Sequence, residues 1–148
     1  MLIYAESSAV VAWLLDREGR PGVVEAIGRA TRVSCSALTL LETHRSIRRR
    51  HREGGITAGD LDRASASLLE ASGRWFVAPL TAEVMEAARR PFPQEPVRSL
   101  DAIHLATILA LGGDAPGLVV LTLDRRVAAN SALLGFKVLP AEKSAGRA

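Results

Sequence analysis

Glu6, Glu42, Asp101 and Asp124 are four carboxylates set at the margins of apolar segments and far apart along the chain. Glu6 follows Leu2-Ile3-Tyr4-Ala5, and Glu42 closes Leu38-Thr39-Leu40-Leu41. Asp101 opens the apolar run from Ala102 to Leu111, and Asp124 comes after Leu118-Val119-Val120-Leu121-Thr122-Leu123. A charge beside a core is costly unless it is paired, exposed at an edge or bound to a cation. Several such positions of one sign point to a divalent metal, and hard oxygen ligands suit Mg²⁺ or Mn²⁺ rather than zinc. Each acid alone also reads as an ordinary residue; Asp124, before Arg125-Arg126, is equally a helix cap. Their joint placement favours the metal.

The elements that must position these groups alternate. Short strand-like runs stand at Leu2–Ala5, Arg32–Ser36, Trp75–Pro79, Leu118–Thr122 and Phe136–Leu139, with helical patterns between them. Ser7 can cap a helix over Ser8–Leu15, and Pro21 suits the first turn of one reaching Ala30. Thr57 with Asp60 resembles a capping box for a helix to Ala71. Thr81 can cap a helix through Arg90, and Gly112-Gly113 should end the helix that begins near Ser99. Strands alternating with helices imply a parallel sheet covered on both faces, an α/β fold. In such sheets ligands gather beyond the carboxyl ends of the strands. Glu6 and Asp124 each follow a strand directly, and Glu42 stands in an early helical turn. Asp101 lies in the first turn of a helix apolar nearly all round, where burial and the helix dipole both act on it.

With 148 residues, 48% of them hydrophobic, the chain is expected to form one domain over residues 1–140, with a loose tail at 141–148. Gly54-Gly55 reads as a turn between two helices rather than a boundary. Apolar runs stop well short of the roughly 18 positions a membrane span needs, and the first residues read as a strand rather than a leader. The single cysteine, Cys35, reads as a buried structural thiol, and the expected setting is the cytoplasm. A net charge of +3 and a pI of about 9.7 are compatible with a nucleic-acid partner.

Ile3-Tyr4-Ala5-Glu6-Ser7-Ser8-Ala9 resembles the opening strand and first acidic motif of PIN-domain ribonucleases, particularly the VapC-type toxins. Leu41-Glu42, Leu100-Asp101-Ala102-Ile103-His104-Leu105-Ala106 and Thr122-Leu123-Asp124-Arg125-Arg126 are similar to the later motifs, in order and over essentially the whole chain. The resemblance implies a three-layer α/β/α sandwich with a mostly parallel sheet. It also implies Mg²⁺-dependent cleavage of RNA, a cognate VapB-type antitoxin and a homodimer within the toxin–antitoxin assembly. Glu6, Glu42, Asp101 and Asp124 would be the catalytic metal ligands, with Ser7 and Thr122 supporting them. The departure is Glu6, where the family usually has Asp: one further methylene adds about 1.5 Å of reach. Two outcomes stay open, a working ligand or a weakened site that leaves only an RNA- or antitoxin-binding module.

Arg45, Arg49 and Arg52 fall on the helical face of Glu42, within the cluster Arg45 to Arg52, and form either a phosphate track or a solvated face. Arg125 and Arg126 are further phosphate candidates. His104 is read as packing beside the core and bonding locally rather than as a ligand, and His44 as facing elsewhere. A receiver-type phosphoryl-transfer site fits poorly, since Ala5 precedes Glu6 and the only lysines are Lys137 and Lys143. Val10, Val11, Trp13 and Leu14 give the first helix more apolar surface than one core face uses, which fits either a partner's groove or burial on two sides.

Overall fold

The computed structural model describes residues 1–18 and 20–140; the expected tail at 141–148 lies outside the described residues. Twelve elements follow one another: β1 (Leu2–Ala5), α1 (Ser7–Leu15), α2 (Pro21–Arg29), β2 (Arg32–Ser36), α3 (Ala37–Arg52), α4 (Ala58–Ser72), β3 (Phe76–Ala78), α5 (Ala82–Ala87), α6 (Ser99–Asp114), β4 (Val119–Leu121), α7 (Arg125–Leu133) and β5 (Lys137–Leu139). The five strands pair in parallel in the order β3-β2-β1-β4-β5. Strand β1 is central, with Tyr4 in register with Ser34 on one side and Val120 on the other. Because side chains alternate along a strand, β1 feeds two cores. Ile3 and Ala5 pack with Ala9, Val10, Val23 and Leu68 from α1, α2 and α4. Tyr4 packs on the opposite face with Ala102, Leu105, Ile108 and Val127 from α6 and α7. The result is the α/β/α sandwich expected from the alternation. Among the described residues no helix is long and apolar enough to cross a membrane.

Local chemistry explains where the elements begin. Thr57 Oγ1 accepts from the Asp60 amide at 3.1 Å while Asp60 accepts from the Thr57 amide at 2.9 Å, the reciprocal box read from the sequence. Ser36 and Thr39 form a second box at the start of α3 that the sequence reading passed over. At α1 the cap is Glu6 rather than Ser7: Glu6 is extended (φ −79°, ψ 156°) and its carboxylate accepts from the Ser8 amide, so Ser7 is already helical. Gly112-Gly113 does not end α6, which runs on to Asp114 before Pro116 stops it. A Cβ at Gly112 would stand 2.5 Å from the Phe136 ring, so the glycine admits the ring inside the helix instead of terminating it. Helix α5 is shorter than expected, ending at Ala87, although Thr81 caps it as read.

Candidate active site

The cleft opens where the strand order reverses. Chain from β1 leaves toward α1, and its neighbour β4 was made after two crossovers on the other side, so the space between their carboxyl ends is a natural ligand crevice. Glu6, Glu42, Asp101 and Asp124 all line this one cleft, of about 410 Å³. Ser7 and Ser8 share its wall, as do Asp16, Arg20, Ser46, Arg49 and Arg50.

Glu6 is 5% exposed and is the most heavily bonded of the four acids. Its Oε2 accepts from the Ser8 amide at 3.0 Å, from the Ser8 hydroxyl and from Thr122 Oγ1 at 2.8 Å. Its Oε1 faces Ser7 Oγ at 2.5 Å. The Thr122 oxygen in turn accepts from the Asp124 amide at 3.0 Å, and Ser8 Oγ accepts from the Leu123 amide at 2.8 Å. The loop after β4 is thereby tied to the carboxylate that ends β1. Thr122 is buried.

Glu42 reaches the cleft from the second turn of α3. Its Oε1 accepts from His104 Nε2 at 2.6 Å and lies 3.0 Å from Ser7 Oγ. Burial acts to raise the Glu42 pKa, but the bond and charge of His104, with Ser7, outweigh it and hold the carboxyl below its ordinary value. Asp101 has no hydrogen-bond donor among the described residues; burial, then the charges of Asp124 and Glu6, push its pKa up. Asp124 caps α7, its Oδ1 accepting the amides of Arg126 at 2.8 Å and Val127 at 3.0 Å, which leaves Oδ2 free of them. The helix-cap reading of Asp124 and its place in the cleft therefore hold together.

The basic residues divide. Arg49 lines the cleft with Arg50, whereas Arg45 and Arg52 are exposed and stand outside its lining. Arg125 and Arg126 are exposed at the start of α7, and Arg126 is near enough to Asp101 to act on its charge. Arg20 and Asp16, absent from the sequence reading, lie at the far wall. His104 was expected to bond locally; it packs in the core at 1% exposure, yet its partners are Glu42 and Tyr4, distant in sequence. One ligand atom each from Glu6, Glu42 and His104 lies within 4.8 Å of the others. Only a motif placing histidine three residues after Asp101 hinted at this. Cys35 is buried and free, its thiol pushed up to about 12 by that burial, in keeping with a structural role. Trp13 is half-buried against Trp75, ring centroids 5.8 Å apart, with the Arg17 guanidinium over its face. Much of its apolar surface is thus covered from within the chain.

A parallel sandwich with acids gathered at the switch point defines a class. The family model of the PIN domain matches residues 3–133, and the chain belongs to the PIN-domain family. Within it, the chain is 30% identical over 142 residues to Ribonuclease VapC45 of Mycobacterium tuberculosis strain CDC 1551 / Oshkosh, covering 95% of this chain and 96% of that one. It is equally similar, over the same shares, to Ribonuclease VapC49 of Mycobacterium tuberculosis strain H37Rv. Among solved structures, FitAcB from Neisseria gonorrhoeae superposes with a TM-score of 0.65 at 17% identity, covering 93% of this chain and 96% of that chain. VapC20 of Mycobacterium tuberculosis, a Sarcin-Ricin loop cleaving toxin, gives 0.62 at 20% identity over 90% and 95%. At those identities the structures speak to the fold alone.

Proposed function

We propose that this chain is a Mg²⁺-dependent endoribonuclease, the toxin of a VapBC-type toxin–antitoxin pair. The observation that carries the reading is the convergence of Glu6, Glu42, Asp101 and Asp124 on one cleft of a PIN fold. Their donors are all carboxylate oxygens, and two keep free capacity: Asp101 has no hydrogen-bond donor among the described residues, and the capping bonds of Asp124 leave its Oδ2 free. Such a set fits a hard divalent cation, Mg²⁺ first and Mn²⁺ also. When bound, the cation supplies a water of lowered pKa and polarises the phosphate for in-line attack. Asp101 and Asp124 present open oxygens to it, Glu42 is held in place by His104, and Glu6 joins the two strand ends. Thr122 fixes Glu6, and Ser7 bridges Glu6 and Glu42. Arg49 and Arg50 hold phosphates of the RNA at the wall of the cleft, and Arg125 and Arg126 do so from α7. Ribonuclease VapC45 and Ribonuclease VapC49 support RNA as substrate. VapBC2 of Rickettsia felis and FitAB, both solved with DNA fragments, support an antitoxin partner; a toxin homodimer within that assembly is part of the same proposal. The cytoplasm is the compartment where such a pair would act.

A second reading draws on Glu6. With its carboxylate already bonded to Ser7, Ser8 and Thr122, Glu6 serves as a cap and tie, and the metal rests on the other acids. A panel of RNAs incubated with the protein in Mg²⁺ and in chelator tests the main reading. Cleavage that needs the cation and stops in Asp101→Asn is the expected outcome; RNA binding without cleavage at any Mg²⁺ or Mn²⁺ concentration would leave only a binding module.

A further inference from the structure

Tyr4, His104 and Glu42 form a line of hydrogen bonds that starts in the core and ends in the cleft. Tyr4 sits in the middle of β1 with no exposure, and His104 on α6 is almost as buried. Tyr4 Oη is 2.7 Å from His104 Nδ1, and His104 Nε2 is 2.6 Å from Glu42 Oε1. The protons along this line follow from what each group can do. An ionised Glu42 only accepts, so Nε2 carries a hydrogen and donates it. On the other side of the ring, Nδ1 shares a hydrogen bond with the Tyr4 hydroxyl, which burial keeps protonated. Both ring nitrogens are then engaged, and the imidazole has no atom left for a cation, a water or a substrate. Although His104 stands within 4.8 Å of Glu6 and Glu42, it is therefore not a ligand there.

Its position has a different use. The other hydrogen-bond partner of Glu42 Oε1 is Ser7, whose single hydroxyl proton is also within reach of Glu6. Only His104 can hold that oxygen at all times, and Oε2 is left without a donor among the described residues, on a side chain that lines the cleft. We propose that His104, its ring held from behind by Tyr4, is the positioning residue that fixes Glu42 with one oxygen anchored and the other presented to the cleft. The inference rests on the reading that Glu42 serves a metal site. Groups that orient metal ligands from behind act on affinity and rate by about 10–100-fold when removed.

The test uses the full chain and Mn²⁺ titrated by calorimetry, with urea unfolding to establish that each variant is folded. His104→Leu should weaken Mn²⁺ binding by about 10–100-fold and lower kcat with little change in KM. His104→Gln, whose amide N–H can reach the same oxygen, should recover most of both. Tyr4→Phe keeps the ring in the core and removes only the hydroxyl; it should give an intermediate loss and shift the His104 ring-nitrogen resonances, Nδ1 most. A folded His104→Leu that binds Mn²⁺ like wild type overturns the positioning role and leaves the metal site standing. If His104→Leu does not fold, wild-type affinity together with unchanged ring-nitrogen resonances in Tyr4→Phe overturns it equally. Wild type that binds no Mn²⁺ overturns both this inference and the metal reading beneath it.

Discussion

Glu6→Asp separates a carboxylate built into the fold from one misfitted to it. The substitution keeps the charge, so repulsion from Glu42 and Asp101 is little changed, and only geometry is tested. The shorter side chain withdraws by about 1.5 Å. Asp is a good helix cap, so the bond from the Ser8 amide survives. Thr122 Oγ1, now 2.8 Å from Glu6 Oε2, would be left beyond hydrogen-bonding distance on a residue that is 3% exposed. Stranding that buried hydroxyl donor costs about 1–3 kcal/mol. For a chain of this length the cost corresponds to a fall in Tm of roughly 2–12 °C, at about 2–4 °C per kcal/mol. Urea unfolding in chelator measures the loss without any contribution from metal. The same stock then serves for Mn²⁺ titration, where affinity should fall with stability. A cycle with Thr122→Val adds a second reading, since that change should cost less in the Glu6→Asp background than in wild type. Glu6→Asp as stable as wild type in chelator, with tighter Mn²⁺ binding and higher activity, would refute the reasoning and mark Glu6 as a poor substitute for Asp.

Asp101→Asn removes an unpartnered carboxyl whose pKa burial and neighbouring acids raise, so it should abolish Mg²⁺-dependent RNA cleavage while leaving apo stability unchanged or slightly higher in urea. A raised carboxyl pKa favours folding as pH falls through the folded value, so wild type but not the variant should gain stability there. Arg49→Ala with Arg50→Ala should reduce the slope of log RNA affinity against log salt by about one to two, roughly one per lost phosphate contact, and Arg45→Ala with Arg52→Ala should change it less. A slope unchanged from wild type in both pairs would assign these arginines to solvent. Away from the cleft, the amide and hydroxyl of Thr57, then Arg63, lower the pKa of the partly exposed Asp60. Its contribution is present above the unfolded pKa and lost as pH falls through the folded one, so Asp60→Asn should be less stable than wild type at pH 7 and converge with it in acid, as thermal melts across pH would show.

The strands and the four acids were readable because apolar runs in this chain are short and each of the acids stands at the margin of one. Thr57 and Asp60 were readable because a capping box is a local pattern with a fixed interval. The cap of α1 was not: Ser7 has the better intrinsic preference, and only the Thr122 and Ser8 hydroxyls make it profitable for Glu6 to fold back. Helical spacing correctly put Glu42 and Arg49 on a common face, but it cannot say how α3 is rotated against α1, and that rotation brings Arg50 to the cleft and leaves Arg45 and Arg52 outside. The partners of His104 are separated from it by 62 and 100 positions, and no window along the chain contains both ends of either bond. Gly112 misled for a related reason, because the ring that requires it arrives from the far end of the sequence.

Pairing of β1 with β4 also sets a clock. The acids in the cleft come from positions 6, 42, 101 and 124, so the cleft is incomplete until nearly the whole chain has been made. Residues 1–52 supply Glu6 and Glu42 early, but β1 lacks its β4 neighbour, and Glu6 lacks the Thr122 hydroxyl. At about 5–20 residues per second, the 82 residues between Glu42 and Asp124 take roughly 4–16 s to synthesise. A parallel pairing of such sequence separation is itself slow to form. A fragment released early, by a nonsense codon or a broken message, therefore carries half of the acids and no assembled cleft. For an enzyme that would attack RNA in the cell that makes it, the interval between the second acid and the last is time in which a partner can be produced, and the positions of the acids along the chain set its length.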